Sequence, residues 1–576
     1  MKKRLYLSAI SILLMIAMCG CSLISNIIDA VEYAEDHMGE YAYNEDKYTL
    51  SGQYVDCPAQ EIFPDKGLNH AIHDLLCDVR DHKITSEGLA SITIAEITWD
   101  VGSLDGIENL PNLDTLKLLA YVGTGEDFHR LEQLENLKEL EIVFFNQMHL
   151  SDMDTLGNHS QLTTLLLDFS NSGQTAPALD AIARLTNLEN LSLSFYDEQP
   201  VLGALADLKL VRLEIGGSNV SKDLLPLNLE VKELSFAYCN VQDISFLPYL
   251  PHLETLRFSD CEVDDLDCLV DLTGLRRLEL NNSTFRNYSM LSQMEQLLSL
   301  SIVSEDMTSI AFLEDLTNLE YLDLSSNKLK DLTPLASLSN LIYLDLSRNN
   351  IEDIAPLADL TKLSHLELGA NRINDVGPIS NLVAMEYLGL AANSVTDITA
   401  LKDMGMLRVL DMEDNGYYKF TGELPYGAPL DLSPLADKLD LELLNLNKNT
   451  ITDLSPLMEL SEKLGPVKFK ECMGHPAILV PIKDIEMTDN RLAPWITIKI
   501  PLGPSGSPVA LEPAIRVWDL EASNGLARCR TLLSAVDEDV SLQYQFEDEK
   551  SGLTGMIFVL STPEETEYIS NAELPK

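Results

Sequence analysis

A 22-residue period dominates the middle of the chain. The stretches YLDLSSNKLKDLTPLASLSN (321–340) and YLDLSRNNIEDIAPLADLTK (343–362) align residue for residue. Their shared pattern is Leu-x-x-Leu-x-Leu-x-x-Asn, followed by x-Ile/Leu-x-Asp-Ile/Leu-x-Pro-Leu-x-x-Leu. The asparagine recurs at Asn327, Asn349, Asn371, Asn393 and Asn415, and one 34-residue step then reaches Asn449. Upstream, Glu305, Ser283, Cys261 and Cys239 take its place while the leucine triplets persist. Further up the period loosens, with cores at Leu213, Leu191, Leu165, Leu140 and Leu116. The whole array spans about 101–464 and holds 15 repeats.

Such a pattern leaves few folds open. The Leu-x-Leu alternation marks a short strand with its leucines turned inward. The asparagine then turns the chain, and its amide needs backbone partners, because an unpaired buried amide costs about 1–3 kcal/mol. Proline in the following segment forbids a long helix and leaves short 3₁₀ or irregular turns. One repeat cannot bury its own leucines, whereas a stack buries them all. This is the leucine-rich-repeat signature. The expected fold class is an α/β solenoid: a leucine-rich-repeat horseshoe with parallel strands on the concave face and short convex segments. An N-terminal helical cap and a small β-rich C-terminal region complete it. At ~4.8 Å per strand, the sheet would be roughly 70 Å long.

The strand positions between the leucines face outward and are the candidate ligand-binding residues. Tyr321, Tyr343, His365 and Tyr387 form an aromatic row, and Asp323, Asp345 and Glu367 an acidic row beside it. Tyrosines supply rigid contact area with little entropy to lose. The carboxylates suit a basic peptide or a network of sugar hydroxyls. These residue types also make good strands, so scaffold and site remain two readings of the same stripe.

The flanks carry other signals. MKKRLYLSAISILLMIAMCGC has a basic start and an apolar run from Leu5 to Met18, about the length of a signal-peptide core. Its end, Met18-Cys19-Gly20-Cys21, resembles the bacterial lipobox, which implies a signal peptide over 1–20 and lipidation at Cys21. Residues 21–59, acidic and rich in tyrosine, read as a tether. In 60–100, Leu68, Ala71, Ile72, Leu75, Leu76 and Val79 follow a helical period, marking a cap. ITSEGLASI and SLDGIENLPNLDTL (103–116) resemble the cap junction and first repeat of bacterial internalin-like proteins. That resemblance implies a surface protein that binds a macromolecule, without naming it. Residues 465–576 read as β-rich, with WITIKI (495–500) alternating like a strand and DEKSG turning a hairpin.

Composition excludes several classes. With 91 acidic against 40 basic residues and a net charge of −51, the chain is unsuited to bind nucleic acid or an anionic bilayer by bulk charge. The scattered cysteines form no metal-site spacing, and only Cys57 with Cys77, and Cys472 with Cys529, merit testing as pairs. His70 and His73 on the cap helix lack a third ligand. DMEDNG (411–416) starts like a calcium loop, but Gly422 stands where the bidentate Glu belongs. No nucleophile, phosphate-loop or zinc-protease motif is present. The expectation is a monomeric, non-enzymatic lipoprotein, needing no cofactor or metal, that binds a protein or glycan partner on the concave face. It touches the membrane only through its lipid. Two alternatives are an envelope enzyme whose activity lies in 465–576, and a structural spacer.

Overall fold

The computed structural model describes residues 62–463, apart from the stretches 77–85, 146–149, 171–178, 199–201 and 416–429 and a few shorter gaps. It also gives the backbone of seven strands between 477 and 560. The signal-like stretch, Cys21, the tether, Cys57, Cys77, Val79, Cys472 and the insert at 416–429 lie outside the described residues, as does the side chain of Cys529.

An 18-stranded, all-parallel sheet runs the length of the array. Successive repeats pair in register, Leu322 opposite Leu344, Leu344 opposite Leu366 and Leu366 opposite Leu388. The inward leucines are fully buried, as Leu319, Leu322 and Leu324 show in one repeat. Two short strands, Asn240–Val241 and Glu262–Val263, extend a side ladder from Asn219–Val220 where the period is looser. In the upstream repeats the core turns aromatic, and Phe144 and Phe169 stack at 4.8 Å.

The turn after each strand follows from two adjacent residues. Ser326, Arg348, Ala370, Ala392 and Asp414 all adopt left-handed backbone, with φ between 54° and 57°. Each such residue costs roughly 1–2 kcal/mol, and the next residue, the asparagine, holds the turn closed. Asn349 Nδ2 donates to the carbonyls of Leu324 (2.9 Å), Leu346 (3.1 Å) and Ser347 (3.2 Å), and its Oδ1 accepts the Leu329 N–H at 2.9 Å. A side-chain amide both donates and accepts, so one residue serves carbonyls and an N–H together. Asn327, Asn371, Asn393 and Asn415 repeat the arrangement, and Asn449 Nδ2 reaches the Met412 carbonyl at 2.6 Å. Where cysteine stands, the thiol keeps the donating half. Cys239 reaches the Ile215 carbonyl and Cys261 the Phe236 carbonyl, each at 3.4 Å.

On the convex side the recurring aspartate has its own task. Asp331, Asp353, Asp375, Asp397 and Asp431 each accept the N–H two residues on, at 2.8–2.9 Å, and so start the 3₁₀ turn. Prolines follow in the first turn of most of these segments, where their missing N–H costs nothing. Part of the chain's acidity is therefore structural.

The cap is more than the expected helix. Helix Lys66–Leu76 buries Leu68, Ala71 and Ile72, while Leu75, placed on the buried face by its period, is 42% exposed in the last turn. A short helix, Ser86–Ser91, leads into the strand Ile94–Ile97, which pairs with Thr115–Tyr121 and so begins the sheet one strand before the first repeat. His70 lies beside the Trp99 ring at 5.3 Å.

The seven C-terminal strands form two further sheets. In one, the first strand (Ala477–Pro481) runs parallel to the last (Leu553–Leu560), followed by the sixth and the third. In the other, the second strand pairs with the fifth and the fifth with the fourth, all antiparallel. This is the strand partition of an immunoglobulin-type Greek key, with the first strand carried on the edge of the last.

Candidate binding face

The register brings the outward aromatic residues into one column. Tyr321 lies opposite Tyr343, Tyr343 opposite His365, and His365 opposite Tyr387. Parallel strands ~4.8 Å apart are slightly wider than ring contact, and the rings close the difference by lying nearly parallel. Centroids stand 4.3 Å apart for Tyr321–Tyr343 and Tyr343–His365, and 4.0 Å for His365–Tyr387, with interplanar angles of 9–14°. Each contact contributes about 0.5–1.5 kcal/mol beyond area burial. Burial holds the His365 imidazole below its ordinary pKa, so a neutral ring sits within the stack. The Tyr343 and Tyr387 hydroxyls are pushed well above the usual phenol range, first by burial and then by Tyr321 and Glu367 respectively.

The acidic row runs beside it, one residue pair further along each strand. Each carboxylate is held by the backbone two residues on: Asp323 accepts the Ser325 N–H at 3.0 Å, Asp345 that of Ser347 at 2.8 Å, and Glu367 that of Gly369 at 2.8 Å. Glu367 departs from the pattern. Its Oε2 also accepts the Tyr387 hydroxyl at 2.8 Å, and its side chain lies over Gly389, where the column would otherwise carry its next acid. Asp411 resumes the row opposite Gly389. Burial raises the pKa of Asp323, Glu367 and Asp411. Burial, and next the Asp323 charge, push Asp345 up to about 6.

The same face upstream is charged but internally matched. Arg257 reaches Glu233 and Glu279 at 3.1 Å each, and Arg212 reaches Glu233 at 2.8 Å. Lys117 sits between Glu139 (3.5 Å) and Glu141 (3.4 Å). Among the described residues, no Lys or Arg forms an ion pair with Asp323, Asp345, Glu367 or Asp411. Ser299 and Ser301, both buried, separate the matched half from the ring column.

Sequence reasoning singled out seven residues of this stripe, and the structure places all seven on adjacent strands. It passed over Asp411, which the same 22-residue step from Gly389 would have reached, and the paired cluster around Arg257. Among the described residues, no group of three or more His, Cys, Asp or Glu side chains is placed to hold a metal. No helix among them is long and apolar enough to cross a membrane.

Residues 318–373 match the family model described as leucine rich repeat. No curated protein matches the chain. Among solved structures, an internalin from Listeria monocytogenes aligns at 25% identity and a TM-score of 0.36, covering 72% of this chain and 97% of that one. The functional domain of InlJ from the same organism, described as including a cysteine ladder, aligns at 19% identity and 0.45, covering 88% and 98%. A leucine-rich-repeat protein of Leptospira interrogans aligns at 22% and 0.44, covering 60% and 93%. The family match falls on the strands that carry Tyr321, Tyr343 and His365, and the architecture around them is a leucine-rich-repeat solenoid.

Proposed function

We propose that this chain is an exported, lipid-anchored, non-enzymatic binding protein that holds a protein partner against the concave face of its solenoid. The observation that carries this reading is the unbroken four-ring column of Tyr321, Tyr343, His365 and Tyr387. Solenoids of this kind offer an extended concave surface to their partners. Rings already locked against one another lose little further freedom when a partner lands. The stacking also bears on the choice between protein and glycan. A sugar packs against a ring face, and here each inner face is covered by the next ring. What remains is a strip of ring edges and hydroxyls, which suits a protein surface better.

Lipidation at Cys21 would place this face outside the cytoplasmic membrane, with 21–59 as tether, and the molecule would work as a monomer. The test is capture from envelope and host-surface extracts by the chain from Ser22 onward. It is run beside the triple variant Tyr321→Ala, Tyr343→Ala, Tyr387→Ala. A captured partner lost in the triple variant, with its circular dichroism at the assay temperature still that of the folded parent, supports the reading. An identical capture profile overturns it.

A further inference from the structure

The two halves of the concave face differ in one respect that bears on the partner. Every arginine–carboxylate contact around Arg212 and Arg257 is satisfied within the protein. In the ring-bearing half, Asp323, Asp345 and Asp411 accept the backbone N–H two residues on (3.0, 2.8 and 3.0 Å) and neutral side-chain donors of Ser325, Ser347 and Asn445 respectively, and no cation is paired with them among the described residues. Asp323 and Asp345 occupy directly opposed positions on neighbouring strands. At a strand spacing of ~4.8 Å, two half-buried carboxylates repel one another. The parallel register has thus fixed the acids in an unfavourable row.

We infer, on top of the reading above, that the partner is a protein segment whose lysine or arginine side chains lie against Asp323, Asp345 and Asp411 while its backbone follows the edges of the ring column. Ionised carboxylates only accept hydrogen bonds, so the surface calls for a ligand rich in donors. Charge-assisted bonds from a cation relieve the repulsion along the row as well as forming new contacts. The overall charge of −51 draws such a segment in from a distance. The flanking rings exclude water from the bonds once made, which is the arrangement that makes interfacial charge pairs specific.

The test uses the full-length chain in mild detergent and fluorescein-labelled peptides (Lys-Ala)5, (Ser-Ala)5 and (Glu-Ala)5, read by fluorescence anisotropy. The variant Asp323→Asn/Asp345→Asn/Asp411→Asn keeps an oxygen acceptor for each backbone N–H and so keeps the strands. A charge-matched control, Glu314→Gln/Asp315→Asn/Asp359→Asn, changes three exposed acids by the 3₁₀ segments. The lysine peptide should bind, and the concave variant should weaken it at least tenfold while the control stays within twofold. Equal weakening in both variants, or serine-peptide binding as tight as lysine-peptide binding, overturns the inference. The two levels separate cleanly. Loss of the captured partner in the tyrosine variant, with lysine-peptide binding unchanged in the asparagine variant, leaves the concave face standing and removes the cationic partner. The reverse pattern removes the ring column and keeps the acidic row.

Discussion

The carboxylate of Glu367 lies over the backbone of Gly389, in space that any side chain at 389 would occupy. From there it bonds the Tyr387 hydroxyl, so a residue of the acidic row is tied to the end of the ring column. Gly389→Ala should displace Glu367 and break that bond at a cost of about 1 kcal/mol. Tyr387→Phe should cost a similar amount. A double-mutant cycle by chemical denaturation checks this, and the two effects should fail to add, because both remove the same contact.

The asparagine turns predict a steep ranking. Asn349→Ala removes one acceptor and a donor group shared among three carbonyls, all in buried surroundings. The loss should be about 3 kcal/mol, given roughly 1–3 kcal/mol for each buried group left unpaired. Cys261→Ala removes only a weak thiol donor, and the Cys261 N–H is already served by Ser283 Oγ at 3.0 Å. Its loss should be about 1 kcal/mol. Equal losses at the two positions would contradict this account of the ladder.

His159 stands where neighbouring repeats bury leucine, and it is only 1% exposed. Its Nδ1 bonds the Leu156 carbonyl at 3.0 Å, while Nε2 is buried with no partner at hydrogen-bonding geometry among the described residues. Burial holds its pKa below 6.5, so between the folded value and 6.5 the unfolded chain binds more protons. The stability tied to neutral His159 is fully present above pH 6.5 and is lost as pH falls through the folded value. His159→Leu should melt higher than the parent, and the gap should widen from pH 7.5 to pH 5.

Glu305 titrates in the opposite sense. It takes the ladder position, accepts the Ser283 N–H and the Tyr288 hydroxyl (3.0 Å), and burial raises its pKa to about 7. The folded chain therefore binds more protons between pH 4.5 and 7, and this contribution is present below pH 4.5 and lost as pH rises through 7. Glu305→Gln should flatten the decline in melting temperature between pH 6 and pH 8. A decline as steep as that of the parent would show that Glu305 is already ionised across that range.

The strands, their register and the inward leucines were legible in the linear sequence because a 22-residue period can satisfy every buried backbone group only by stacking in parallel. The turn residues were legible for the same reason, as Asn327 and its successors stand at a fixed offset from each strand. The outward columns could be written down too, since side chains alternate along a strand. What the rings do with that placement could not be. Whether Tyr321, Tyr343, His365 and Tyr387 splay into solvent or close to 4.0–4.3 Å depends on rotamers and sheet pitch, which belong to the assembled solenoid. The same is true of Glu367, whose reach over Gly389 exists only because the next repeat brings a glycine beneath it. It is also true of Asp323 and Asp345, whose lack of a counter-ion among the described residues depends on where the neighbouring side chains have gone. Periodicity determined the scaffold through local alternation and a repeated turn. The chemistry of its concave face was decided between repeats, by contacts that span 22 residues of chain and one strand spacing.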